Sequence, residues 1–261
     1  MPLIDAAGNI HEPAPMARVV SLVPSLTELM FDLGLGTHVV GRTHYCVHPA
    51  DKLTAVPSLG GTKKIKMDRL EEVSATHVLL NIDENPKEMA DEISAAGIKV
   101  VVTHPNAPED NPELYRLIGG LFGAGAEAEV MAEKFRNALA DLKSTTDELP
   151  IHRVLYLIWK DPWMTISRDT YISRTLALLN WQTVGDDPET RYPEVDLDKI
   201  LKDTDLVLLP SEPFEFGDDD LKAIRSAHPA IDVRLIDGEM TSWYGSRAIE
   251  GLHYLKRFVD E

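Results

Sequence analysis

Apolar residues fall into two rhythms along this chain. Short, mainly apolar runs occur at 19–23, 39–41, 77–80, 98–102, 154–159, 206–209 and 233–236, each about the length of a buried strand. Between most of them the apolar positions recur every three or four residues, at 27–35, 67–73, 86–96, 171–179, 218–226 and finally 246–259, which predicts helices. Strands separated by helices of this length build βαβ units and mainly parallel sheets. Boundary residues support the assignment. Ser25 is placed to cap the first helix, with Glu28 completing a capping box and Gly34 and Gly36 ending it. Asn85 is placed to cap the helix that Pro86 opens.

The pattern changes between 113 and 148. Ala128, Met131, Phe135, Ala138 and Leu142 form one apolar stripe among Glu127, Glu129, Glu133, Lys134 and Asp141. This predicts one amphipathic helix of roughly 25 residues from about Ala124. The alternation resumes after Pro150, and the two halves echo each other. Met67-Asp68-Arg69-Leu70 precedes the strand Val78-Leu79-Leu80, and Leu197-Asp198-Lys199-Ile200 precedes Val207-Leu208-Leu209. The expected organisation is an α/β N-terminal lobe over 1–122, a linking backbone helix over 123–149 and an α/β C-terminal lobe over 150–261. Open parallel sheets take ligands outside the carboxyl ends of their strands, so a cleft between two Rossmann-like lobes is the expected site.

Several of these segments carry a family likeness. The stretch Arg18-Val19-Val20-Ser21-Leu22-Val23-Pro24-Ser25-Leu26-Thr27-Glu28-Leu29, then Val40-Gly41, the 67–80 segment and the long helix resemble the helical-backbone metal receptor family over about residues 17–260. These are the substrate-binding proteins of cobalamin, haem and iron-siderophore ABC importers, and the cobalamin-binding members are the nearest in pattern. The resemblance implies the class III substrate-binding-protein fold: two lobes bridged by one stiff helix, closing modestly on a ligand held between aromatic rings. It places the family's cleft tyrosine at Tyr45, its C-lobe aromatics at Trp163 and Tyr192, and its acidic residue near the last helix at Glu239. Two positions that are tryptophan in cobalamin binders are Thr62 and Asn81 here. The family's permease-docking glutamates fall on Asp68 and Asp198, which keep the charge with a shorter reach.

Charge narrows the partners. With 26 basic and 43 acidic residues the formal charge is −17, which repels nucleic-acid backbones and anionic lipid. Cys46 is the single cysteine, so no internal disulfide forms. The N-terminal residues lack the basic start and apolar run of an export signal, and no stretch approaches a membrane span. The chain as written therefore reads as cytoplasmic, or as periplasmic if a leader has been removed, and as a monomer.

Candidate chemistry gathers at strand ends and loops. Trp159, Trp163, Tyr192 and Trp243 offer rings that stack on a flat macrocycle, with Tyr45 facing them from the first half. Thr62, Asn81, Glu212, Glu239 and Arg247 are the polar candidates; the Arg247 guanidinium suits a carboxylate clamp. Asp68 and Asp198 also suit the positive ends of their helices. His44, Cys46 and His48 alternate, and in an extended loop would share one face as a zinc or iron(II) shell. Gly60-Gly61-Thr62-Lys63-Lys64 lacks the spacer of a phosphate loop.

The leading expectation is a solute-binding protein for a bulky cofactor-like ligand, most of all cobalamin or a related corrinoid, with no bond chemistry and no catalytic cofactor. An ABC permease is its partner if it is exported. The alternatives are a haem or iron-siderophore binder, a cytoplasmic metal-dependent enzyme or sensor using His44, Cys46 and His48, and a fold recruited to contact a partner protein through Asp68 and Asp198.

Overall fold

The computed structural model describes residues 2–146 and 149–259. They fall into two units. The first holds the chain up to Pro105, then Glu109–Phe135 and Tyr244–Arg247; the second holds Asn106–Pro108, Arg136–Trp243 and the chain from Ala248.

In the first unit an N-terminal hairpin of β1 (Leu3–Ile4) and β2 (Ile10–His11) precedes the sheet. The sheet contains β3 (Val19–Ser21), β4 (Val39–Arg42), β5 (His77–Asn81) and β6 (Lys99–Thr103), all parallel, in the order β4-β3-β5-β6. Its helices are α1 (Pro24–Asp32), α2 (Ala50–Leu53), α3 (Met67–Glu72), α4 (Lys87–Ala95) and α5 (Asn111–Phe122). Every residue of β3 and β5 is buried, as expected of strands covered on both faces. Val20, Leu22, Leu70, Val78, Leu80 and Ile93 share one apolar cluster.

Helix α6 (Gly125–Thr146) is the long element of the periodic stripe and runs for 22 residues. Its opening is a close crossing. Gly123 takes the left-handed φ of +92° that ends α5, and a Cβ on Gly119 would lie 2.7 Å from that of Ala128. Glycine at 119 is what lets α5 and α6 pack this tightly.

The second unit repeats the plan. Its strands are β7 (His152–Tyr156), β8 (Trp181–Thr183), β9 (Leu206–Pro210) and β10 (Asp232–Ile236), parallel, in the order β8-β7-β9-β10. The helices are α7 (Tyr171–Ala177), α8 (Leu197–Ile200), α9 (Asp218–Ala227), α10 (Gly238–Ser242) and α11 (Arg247–Phe258). Within each sheet the strand taken second by the chain flanks the first, and the third and fourth follow on the other side. The sequence echo thus corresponds to one topology used twice, with α3 and α8 each leading to the third strand.

Two capping expectations are overturned. Helix α1 starts at Pro24, with Val23 as its cap residue. The fixed φ of proline pre-sets the first helical turn, so Ser25 lies inside the helix with its side chain buried. Glu28 consequently closes no capping box and pairs with Arg247. Pro86, not Asn85, is the residue before α4. The Asn85 side chain is drawn inward, where it accepts from the Asn81 amide at 2.8 Å and donates to the Thr62 carbonyl at 2.8 Å.

Candidate ligand-binding site

Because the strands of each sheet run parallel, the loops after them share one end of their unit. In the first unit these are the loops after β4 and β5, with the turn at 60–65. Arg42 closes the β4 loop on itself, donating to the carbonyls of Thr43 at 3.0 Å and Cys46 at 3.2 Å. Cys46 is 1% exposed, and its thiol lies 3.1 Å from the Thr27 hydroxyl and 3.2 Å from that of Thr43. Burial pushes the thiol pKa up. The sulfur is an internal anchor, and with it fixed the neighbouring Tyr45 faces outward at 56% exposure. The His44 and Tyr45 rings lie 4.0 Å apart. His44 donates its amide to the Gly60 carbonyl, joining the two loops. A Cβ on Gly61 would come within 3.1 Å of the His44 ring, so glycine leaves room for the pair.

This geometry overturns the metal shell. The loop is a turn at His44 and Tyr45 rather than an extended segment, so Cys46 points inward while His44 is exposed. Among the described residues no group of three histidines, cysteines or acids is placed to hold a metal ion. Asn81 is corrected too. It is 2% exposed, and its side chain accepts from the Asp83 amide at 2.8 Å, closing its own turn. Thr62 is half-buried and holds Asn85 through its carbonyl.

Arg247 also belongs to the first unit, and its guanidinium does grip a carboxylate. The carboxylate is the protein's own: Nε and Nη2 donate to Glu28 at 2.8 and 2.6 Å, with both side chains largely buried. The clamp expected for a ligand is an internal ion pair. Beside it the Tyr244 hydroxyl donates to Glu84 at 2.7 Å. Burial, then the Glu84 charge, holds that phenol well above its ordinary pKa.

In the second unit the loops after β7 and β9 assemble a row of rings. Trp159 is 43% exposed and meets Phe214 edge-on, with centroids 5.4 Å apart. Phe214 touches Phe216 at 4.6 Å, and Phe216 lies parallel to Trp163 at 6.2 Å. Lys160 pairs with Asp220 at 2.7 Å while standing 5.9 Å over the Trp163 ring. The sequence pattern leads to Trp159 and Trp163 but not to Phe214 and Phe216, which bridge them. Their signal is two phenylalanines close together, Phe214 and Phe216, in the loop that follows a buried strand.

The β9 loop also carries Glu212, whose Oε1 accepts from the Trp243 indole at 2.6 Å and from the Ser242 hydroxyl at 3.0 Å. Burial raises its carboxyl pKa, with Glu239 and Asp237 pushing the same way against the two hydrogen bonds. Trp243 is 9% exposed, so it is corrected from a stacking ring to the residue that holds Glu212. Glu239 and Tyr192 are half-buried. Asp68 and Asp198 are exposed in the first turns of α3 and α8, and Asp198 lies 3.4 Å from His228.

A family model described as periplasmic binding protein matches residues 19–225. The chain belongs to this family. Its members bind solutes and do not carry out bond chemistry, which sets aside the enzyme alternative. A vitamin B12-binding protein from Photorhabdus laumondii is 24% identical over 230 residues, covering 85% of this chain and 79% of its own. Among solved structures, the periplasmic vitamin B12 binding protein of Vibrio cholerae superimposes with a TM-score of 0.83 at 16% identity, over 95% of this chain and 98% of its own. The periplasmic heme-binding protein of Roseiflexus sp. RS-1 in its apo form gives 0.79 at 20% identity, over 92% and 97%. At these identities the structural likeness establishes the class III fold. Periplasmic binding proteins thus account for both parallel sheets of the chain and for its long helix α6.

Proposed function

We propose that this chain is the solute-binding component of an importer and that its ligand is cobalamin or a related corrinoid. The observation that carries the reading is the row Trp159–Phe214–Phe216–Trp163 at the strand ends of the second unit, with Trp159 open to solvent. Rings of this kind suit a large flat macrocycle, which gains from stacking and from the apolar area it covers. Tyr45 and Thr62 are the candidate ligand contacts of the first unit, and Tyr192, Glu212 and Glu239 are those of the second beside its rings. Supporting the ligand class are the vitamin B12-binding relatives, at 22–26% identity. Asp68 and Asp198 are the acidic contacts for a permease. The family's description supports action in the periplasm, and fractionation of the producing cells tests that location.

The direct test is a tryptophan-quenching titration with cyanocobalamin, hemin and a ferric siderophore in parallel. Saturable binding of cyanocobalamin is expected, weakened about tenfold by Trp159→Ala, since a stacked ring is worth on the order of 1 kcal/mol beyond its area. Saturation by hemin alone would reassign the ligand, and silence with all three would end the proposal.

A further inference from the structure

We propose that the free edge of β6 is a docking site for an extended peptide, which adds as a further strand of the first unit's sheet. In β6, Lys99 donates its amide to Thr76 and Thr103 accepts from Ile82, so the odd-numbered residues turn their backbone groups toward β5. Val100 and Val102 therefore turn theirs outward. The protein's own N-terminal segment already takes half of that edge. Ala6 donates to the Val102 carbonyl at 2.9 Å, and the Val102 amide donates to the Asp5 carboxylate at 3.0 Å. That carboxylate is buried and also accepts from the amides of Ala7 and Asn9 and from His11, which pins the segment in place.

Two residues earlier the pairing stops. Among the described residues no hydrogen bond reaches the outward amide or carbonyl of Val100. In front of it lies a cavity of about 720 Å³ between the hairpin and α4, lined by Ile10, Ile82, Ala90, Ile98 and Val102 together with polar residues such as Asn9 and Lys87. Two of these are large apolar residues left open, Ile10 at 71% and Ile82 at 49% exposure. A cavity with this mixed lining would by itself suit many amphipathic molecules. The unpaired amide and carbonyl, in register with the pair satisfied by Asp5 and Ala6, select a strand. Its backbone would continue the line that the N-terminal segment begins, and alternate side chains would enter the cavity. The occupant is thus a peptide segment with apolar residues at every second position, supplied by a partner protein.

Amide hydrogen exchange resolved to single residues tests this on the full chain. In the free protein the Val100 amide should exchange at least about tenfold faster than those of Val101 and Val102, which have partners. Adding an excess of a six-residue peptide of alternating valine and threonine should slow Val100 about tenfold or more. The same peptide N-methylated at every residue, which cannot pair as a strand, should have no effect. Ala90→Trp, which fills the cavity from α4, and Ile10→Glu, on the exposed hairpin, should each abolish the slowing while leaving Val101 protected. Four outcomes would overturn the proposal. They are a Val100 amide as slow as Val101 without peptide, equal effects of the methylated and unmethylated peptides, indifference to both substitutions, and protection that grows with protein concentration alone, which would make a second copy the occupant.

Discussion

Glu212 and His77 show how single environments set titration, and each gives a pH signature. Glu212 is pushed up by burial despite accepting from Trp243 and Ser242, so the folded protein binds its proton more tightly than the unfolded chain does. The sign follows from linkage: stability falls as pH rises from the ordinary carboxylate value of 4.5 toward the raised one. Glu212→Gln should therefore melt closer to wild type at pH 4.5 and relatively higher at pH 7, checked by thermal denaturation at both. A constant difference between the two would mean that the carboxyl stays solvated. His77 runs the opposite way. It is 4% exposed at the start of β5, and burial, then Lys99, lower its pKa from 6.5 to about 4. The folded state keeps the ring neutral, so its contribution is fully present above pH 6.5 and is lost as pH falls toward 4. At the low end the loss approaches roughly 3 kcal/mol, since each tenfold drop in proton affinity is worth about 1.4 kcal/mol. Urea unfolding of His77→Gln should lose less stability than wild type between pH 7 and 4.5, and parallel curves would refute the assignment.

At the scale of elements, the strands and the long helix are readable because burial writes a period into the chain. The run at 206–209 has no polar interruption because every residue of β9 is covered, and the stripe of α6 repeats because one face is. What the period cannot carry is where a side chain finds its partner. Ser25 and Asn85 have the right chemistry for caps, yet a neighbouring proline goes with a helix start two residues before the one expected at Ser25 and one residue after the one expected at Asn85. Arg247 reads as a clamp and is one, but its carboxylate comes from Glu28, 219 positions away in sequence. Trp243 sorts with the stacking rings because pattern alone does not separate a ring that faces solvent from one that holds a carboxylate. The loop that carries Glu212 depends on one further position. A Cβ on Gly238, at the start of α10, would lie 2.6 Å from the Glu212 Cγ and 2.8 Å from its amide nitrogen. Backbone cannot yield cheaply at that distance, so Gly238→Ala should cost about 1–3 kcal/mol and displace Glu212. Its effect on cyanocobalamin affinity should exceed that of Ser242→Ala, which removes one hydrogen bond and moves nothing. Equal affinities for the two variants would show that the position of Glu212 is irrelevant to the ligand.

For the molecule as a whole, the two units are not successive pieces of sequence. Tyr244–Arg247 arrive from the far end of the chain to complete the first unit. Within it they bond to groups far away in sequence. The Gly245 amide donates to Asn111, which is fully buried, and its carbonyl accepts from Tyr115; Arg247 neutralises Glu28, and Tyr244 meets Glu84. Removing one member of a buried ion pair leaves the other charge uncompensated, at a cost of roughly 3–5 kcal/mol. Glu28→Gln and Arg247→Met should each cost about that much in urea unfolding, and the double variant should cost clearly less than their sum, because the second change removes the orphaned charge left by the first. Strict additivity would mean that the pair contributes nothing as a pair. By the same reasoning a fragment ending at residue 135 keeps the first sheet but leaves Asn111, Tyr115, Glu28 and Glu84 without these partners. It should show no cooperative urea transition, and a sharp transition from that fragment would mean that the four residues from the C-terminal half are dispensable to the unit they enter.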